Sequence, residues 1–363
     1  MEVDRRYIAV MMLAAVLLML YTIYTLGYTP RTSLQPLAEF VYPGAAPALP
    51  VSHDRPSYTA AVVYLASVLP GPRSPTLLFK SLSLMHKNIP WRYQWPVLIF
   101  HAGAYDTRER RDEFGTLLRN VTGTYGLTVE ETEQLVRRLE FVSAHHELPE
   151  GVPTDGAKDD PVHSVPPHVR ILCVQNPFAP RITPLTYFLR LDDDSSILPP
   201  GTCIDPFEYM HAHNLSYAYR EKIDDAGWVT RGMWPFVSSY ARRHVGADER
   251  MARNGWGWVA GRAWPGGMEY GEDQNFPSYR TNFDLIKVPR FLAPDVRAFN
   301  EELVSDPMRF YWYRWGDAPV RRAQVDMFLE HATEVYHMCE IPYEHKGEVF
   351  GGDCDCAPLP SLG

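Results

Sequence analysis

Apolar and polar positions fall in blocks along this chain. The first block, "YIAVMMLAAVLLMLYTIYTLGY", carries no charged residue, and none appears between Tyr7 and Pro30. At about 1.5 Å per residue it spans roughly 30 Å, the thickness of a bilayer core, which predicts a transmembrane signal anchor over residues 7–28. A cleaved signal peptide would have a shorter apolar region followed by a small-x-small site. Arg5 and Arg6 precede the run and only Arg31 follows closely. The positive-inside rule then places residues 1–6 in the cytosol and the rest in a lumen. The next block is rich in proline and lacks periodicity, which reads as a stem over residues 29–57. The folded part is expected over residues 58–363.

Within that part the pattern switches between two periods. "AAVVYLAS" (60–67) and "PVLIFHAG" (96–103) read as buried strands, with "EFVSA" and "TYFLRL" (186–191) as a third and fourth. "TLLFKSLSLMHKN" (76–88) and "RERRDEFGTLLRN" (108–120) have helical spacing. A third helical run begins at Thr128, where Thr128 and Glu131 form a capping box, and continues toward Phe141. Strands alternating with helices predict a parallel sheet covered on both faces, with ligands beyond the carboxyl ends of the strands. The second half, rich in Trp and Gly, reads as sheet, loops and helices that continue the same domain. Trp256 and Trp258 suit a core as well as a sugar platform.

The net charge of −9, from 35 Lys and Arg against 44 Asp and Glu, argues against a nucleic-acid binder. The five cysteines, Cys173, Cys203, Cys339, Cys354 and Cys356, are too few for a disulfide scaffold. A lumenal setting permits one or two bridges, and zinc at "DCDC" is the alternative. Asn120 and Asn214 open glycosylation triplets if the topology is lumenal.

The chemistry concentrates where the fourth strand ends. "YFLRLDDDSS" (187–196) runs from an apolar strand into Asp192, Asp193 and Asp194. Folding alone gives no reason to gather like charges there. Carboxylates are hard ligands suited to Mg²⁺ or Mn²⁺. Two apart in an extended turn, Asp192 and Asp194 point to one side and Asp193 to the other. A metal held by Asp-x-Asp can bridge a nucleotide diphosphate and neutralise the leaving group, with Arg190 as a second cation. The other reading is a solvated Asx-type turn. Anchor, stem and α/β domain together are the layout of a lumenal nucleotide-sugar transferase.

Several stretches then resemble one family, glycosyltransferase family 15, the fungal Golgi α-1,2-mannosyltransferases. "YRWGDAPVRRAQVDMFL" (313–329) is similar to the family's Glu-Arg-Trp-Gly-Asp-Ala-Pro-Val-His run leading into a helix. "TNFDL" (281–285) is similar to its Asn-Phe-Glu-Ile, and "YFLRLDDD…CIDPFEYM" (187–210) to its Tyr-Trp-Arg-Val-Glu-Pro-x followed by Cys-Asp-Ile-Asp. "SLSLMHKNIPWRYQWPVLIFHAG" (81–103) and "IPYEHKG" (341–347) match in order on either side. The resemblance implies a GT-A fold in a single lumenal domain, GDP-mannose as donor, Mn²⁺ as cofactor and retention of configuration. It puts Asp192 and His345 in metal-binding positions, with Asp194 beside them. Asp284 takes the place of a candidate nucleophile, and Arg190 that of a residue near the nucleotide sugar. Asp317 has either an acceptor-binding role or that of a helix N-cap. The chain departs from the pattern where Asp192-Asp193-Asp194 replaces Glu-Pro-x, Asp284 replaces Glu, Tyr313 replaces Glu and Arg321 replaces His.

The expected activity is transfer of mannose from GDP-mannose to a mannoside or glycoprotein glycan, by a single-pass type II Golgi membrane protein. Two rivals stay open: a GT-A transferase using a UDP-sugar, and a non-catalytic sugar-binding relative. Retention is open to a covalent intermediate on Asp284, or to attack from the leaving-group side with Asp284 stabilising an oxocarbenium ion.

Overall fold

The four expected strands form, each with its apolar residues divided between two faces. The structure is a computed structural model. It describes residues 56–66, 74–101, 103–144, 179–256, 275–306, 309–310 and 315–351, all within one compact unit, Ala46–Gly363. Strands β1 (Ala60–Leu65), β2 (Val97–His101), β3 (Leu139–Ser143) and β4 (Tyr187–Asp192) are parallel, in the spatial order β3-β2-β1-β4. Helices α1 (Ser74–Asn88), α2 (Arg108–Thr122) and α3 (Val129–Arg138) lie between them in sequence. The capping box at Thr128 and Glu131 starts α3 as expected. The α3 pattern stops at Arg138, because Leu139 already belongs to β3.

The second half completes the same sheet. After β5 (Ser195–Ile197) and α4 (Pro206–Ala212) come β6 (Tyr217–Tyr219), β7 (Lys222–Asp225), α5 (Met233–Arg243) and α6 (Ala247–Arg253). Next are β8 (Phe276–Tyr279), β9 (Phe283–Lys287), α7 (Val288–Phe291), α8 (Pro294–Val304) and α9 (Asp317–Phe328). The described part ends with α10 (His331–Glu334), β10 (Val335–His337), β11 (Tyr343–His345) and β12 (Glu348–Phe350). The main sheet reads β10-β6-β9-β4-β1-β2-β3. β9 is antiparallel to both β4 and β6, so the sheet is mixed rather than wholly parallel.

Each face of this sheet has its own apolar layer, since strand side chains alternate. Val62, Leu189 and Leu285 face α1, α2, α3 and α4, meeting Leu82, Phe114, Leu135 and Phe207. Val63, Phe188 and Ile286 face the later helices, meeting Val237, Met251, Phe299 and Val325. Trp256 is buried in this second layer, with the core role rather than a sugar platform. The layers hold the strands rigidly, and the carboxyl ends of β1, β2 and β4 open on one edge.

Some expectations lie outside the described residues: the anchor over 7–28, most of the stem over 29–57, Trp258, Tyr313, Cys173, Cys354 and Cys356. Among the described residues no helix is long and apolar enough to cross a membrane. Cys203 and Cys339 are both disulfide-bonded. Asn120 and Asn214 are both exposed.

Candidate active site

Register, rather than sequence proximity, builds the site. β4 ends at Asp192, a turn carries Asp193 and Asp194, and β5 starts at Ser195. β5 pairs with β11 so that Ser195 faces His345 and Ile197 faces Tyr343. β11 then turns back into β12 with His345 opposite Glu348. Lys346 and Gly347 between them both have positive φ, 51° and 82°. That is the combination of a two-residue type I′ hairpin turn, and glycine adopts it without a Cβ penalty. The carboxylates of Asp192 and Asp194 thereby meet the imidazole of His345.

The ligand atoms of Asp192, Asp194 and His345 lie within 4.8 Å of one another. His345 Nε2 is 3.0 Å from Asp194 Oδ1 and 3.9 Å from Asp192 Oδ2. Nε2 is buried, and despite that short separation it makes no well-directed hydrogen bond. Burial pushes the Asp194 carboxyl up, but His345 and Lys346 outweigh it and hold the group below its ordinary value. Two carboxylates and one imidazole, with a buried nitrogen left unsatisfied, fit a divalent cation of the Mn²⁺ type. Asp193, in the turn between Asp192 and Asp194, is not part of this cluster. Its charge adds to burial in raising the phenols of Tyr64 and Tyr105, which pack in the opposite layer.

The turn is tied down from behind. The Asn282 carbonyl accepts from the Asp192 N–H at 3.3 Å, from Ser195 Oγ at 3.2 Å and from the Tyr343 hydroxyl at 3.0 Å. Lys80 of α1 pairs with Glu344 at 2.9 Å, holding β11 against the first layer. These partners are ordinary polar residues, and nothing in their local sequence marks them.

Behind the three ligands runs an alternating row of charge. Arg190, two residues before Asp192 and on the same strand face, donates to Asp192 Oδ1 at 2.9 Å and also to Asp317. Across the β4–β9 ladder Arg190 stands opposite Asp284. Asp284 pairs with Arg321, Nε to Oδ2, at 3.2 Å. Asp317 and Arg321 are one turn apart on α9, so the helix offers a minus and a plus to a plus and a minus on the sheet. Burial tends to raise Asp317, but Arg190 prevails and its carboxyl falls below the ordinary value. Burial dominates at Asp284 and raises it, although Arg321 and Arg190 pull it down. Asp284 Oδ1 is buried without a well-directed hydrogen bond, although the Tyr217 hydroxyl beside the carboxylate also favours its charged form.

One expectation changes on this geometry. Asp317 is not an N-cap: Gly316 occupies that position, the cap has no side-chain bond, and the Asp317 carboxylate goes to Arg190 instead. Arg190 is a buried bridge between two carboxylates. The partnership of Arg321 with Asp284 is absent from the sequence expectations. The i, i+4 spacing of Asp317 and Arg321, with Arg190 and Asp284 on strands, was the signal for it.

Comparison with known proteins agrees with this geometry. The family model described as glycolipid 2-alpha-mannosyltransferase matches residues 179–357. An O-glycoside alpha-1,2-mannosyltransferase of Schizosaccharomyces pombe is 26% identical over 165 residues, 44% of this chain and 40% of that relative. A probable mannosyltransferase of Saccharomyces cerevisiae is 26% identical over 169 residues, 45% of this chain and 39% of the relative. The chain thus spans about two fifths of the length of these curated relatives. Among solved structures, core-mannan synthase A of Aspergillus fumigatus in its Mn/GDP form superposes with a TM-score of 0.60 at 14% identity, covering 86% of this chain and 82% of that one. The mannosyltransferase Ktr4p of S. cerevisiae in complex with GDP gives 0.60 at 15% identity, covering 82% and 74%. At such identities these structures establish the fold. Over residues 179–357 the chain is similar to glycosyltransferase family 15, and its relatives found by sequence are fungal mannosyltransferases.

Proposed function

We propose that this protein is a metal-dependent, retaining α-1,2-mannosyltransferase that moves mannose from GDP-mannose to a mannoside or glycoprotein glycan. The observation that carries the reading is the convergence of Asp192, Asp194 and His345 beyond the carboxyl end of β4. That is the edge where a sheet of this kind binds its ligands. Mn²⁺ held there would neutralise the departing diphosphate. Support for GDP and Mn comes from the superposed core-mannan synthase A in its Mn/GDP form and Ktr4p in complex with GDP, and for mannose from the mannosyltransferase relatives.

In this reading the protein's own groups divide the work. Asp192, Asp194 and His345 hold the cation. Arg190 orients Asp192 and supplies positive charge beside the nucleotide sugar. Asp284, whose Oδ1 is buried without a well-directed bond on the same strand face as Arg190, is the candidate nucleophile or oxocarbenium stabiliser. Asp317, held by Arg190 at the first turn of α9, borders the acceptor side. The apolar run over residues 7–28 serves as the type II anchor that places a GT-A catalytic domain in the Golgi lumen.

The test is release of GDP from GDP-mannose by the full chain in detergent, with and without a mannoside acceptor. It is run in Mn²⁺ and then in EDTA, with UDP-sugars alongside. Acceptor-stimulated, EDTA-sensitive turnover of GDP-mannose is expected, and Asp192→Ala abolishes it. Turnover of a UDP-sugar alone would keep the metal site and discard the donor. A folded chain that turns over neither donor would leave a sugar-binding role.

A further inference from the structure

Arg321 and Asp284 form an ion pair with side chains only 2% and 1% exposed. Taking two charges out of water costs several kcal/mol per ion, and a pair of this kind is seldom the most stable filling for a core. The surroundings nevertheless fit it in detail. Arg321 Nη1 donates to Gln324 Oε1 at 2.6 Å, and Gln324 Nε2 donates to Asn300 Oδ1 at 2.7 Å. The guanidinium lies 4.8 Å from the centre of the Phe291 ring. Arg321 is thus locked from α8, α7 and its own helix, and Nε remains to grip one oxygen of Asp284. The other oxygen, Oδ1, is buried without a well-directed hydrogen bond, and the neutral Tyr217 hydroxyl is the carboxylate's further polar neighbour. Gripping one oxygen with a fixed cation while the other carries no well-directed bond is an arrangement for using a carboxylate.

From this we propose that Arg321 is a positioning residue for the transfer reaction, fixing the orientation and the negative charge of the Asp284 carboxylate. The inference rests on the mannosyltransferase reading and on Asp284 as its reacting carboxylate. The groups facing Asp284 are Arg190 from β4, Tyr217 and Tyr219 from β6, and Asp317 and Arg321 from α9. Of these the two arginines favour its charged form by Coulomb attraction and the Tyr217 hydroxyl by hydrogen bonding, and Arg190 is shared with Asp192 and Asp317. Arg321 has no other carboxylate within its described contacts. Its loss therefore falls on Asp284.

The experiment measures GDP-mannose turnover against pH, and Mn²⁺ binding by calorimetry, for the full chain, Arg321→Gln, Arg321→Lys, Asp284→Asn and the double variant Asp284→Asn/Arg321→Gln. Arg321→Gln is expected to lower kcat by about a hundredfold, as misplacement of a reacting group does, with the KM for GDP-mannose and Mn²⁺ affinity unchanged. The acid limb of its kcat profile moves up by about 1–3 pH units, the effect of removing an adjacent opposite charge. Arg321→Lys, which keeps the charge, restores most of that shift. The double variant is no slower than Asp284→Asn, because the arginine acts only through the carboxylate. The inference is overturned if Arg321→Gln retains kcat, if its effect multiplies with that of Asp284→Asn, or if it loses Mn²⁺ affinity and fold along with activity. Should Arg321→Gln not fold, an unshifted acid limb in Arg321→Lys together with full kcat overturns it equally. Absence of turnover in the unsubstituted chain, by contrast, defeats the mannosyltransferase reading itself.

Discussion

At the residue scale the site is a set of carboxylates kept apart by arginines. Arg190 has three acidic neighbours, Asp192, Asp317 and Asp284, and touches two of them directly. Removing Asp317 leaves Arg190 short of one partner, and breaking such a buried pair costs on the order of 3 kcal/mol. The cost depends on pH with a definite sign. Asp317 has its carboxyl lowered in the folded state, so its contribution is present above the unfolded value, near 4, and is lost as pH falls through the lower folded value. Asp317→Asn should therefore be clearly less stable than the unsubstituted chain at pH 7, with the gap closing below about pH 4. Urea midpoints at both pH values check this, and a gap that persisted in acid would mean that packing rather than charge joins α9 to the sheet.

At the element scale the hairpin β11–β12 matters more than its size suggests. It delivers His345, and its two-residue turn depends on positive φ at Lys346 and Gly347. A Cβ at Gly347 meets open space, so only the backbone conformation resists substitution there. A β-branched residue in that region costs about 1–2 kcal/mol. Gly347→Val should splay the hairpin and weaken Mn²⁺ binding in calorimetry, while Gly347→Asn, which tolerates the conformation, should bind nearly as well. Equal affinity in both variants would mean that β5 alone sets His345 through the Ser195 register.

At the scale of the whole molecule, the two apolar layers make a rigid base and the site lies on its edge. Three groups from two distant segments must lose freedom to face one another, and a shared cation is the natural gain. A ligand that binds only the folded state stabilises it by about 2.7 kcal/mol at a hundredfold excess over Kd. Mn²⁺ should accordingly raise the melting temperature of the full chain by a few degrees, EDTA should reverse the rise, and Asp194→Asn should remove it. A melting temperature indifferent to Mn²⁺ in the unsubstituted chain would argue that the triad is a solvated turn.

Much of this was legible in one dimension. The first four strands, the Thr128 capping box and the Asp triplet at a strand end are local matters, set by side-chain period and by backbone hydrogen-bonding at helix ends. The closeness of Asp192 and Asp194 was legible too, because two residues apart in one tight turn need no distant partner to meet. His345 was reached only through a resemblance, since nothing at residues 341–347 predicts which strand they pair with. Register across 150 positions is a tertiary decision, made where β5 and β11 share their hydrogen bonds. The antiparallel insertion of β9 and the four-charge row of Arg190, Asp284, Asp317 and Arg321 belong to the same class. A charge in the sequence carries only its sign; its partner depends on which helix face lies on which strand, and packing in three dimensions chose that.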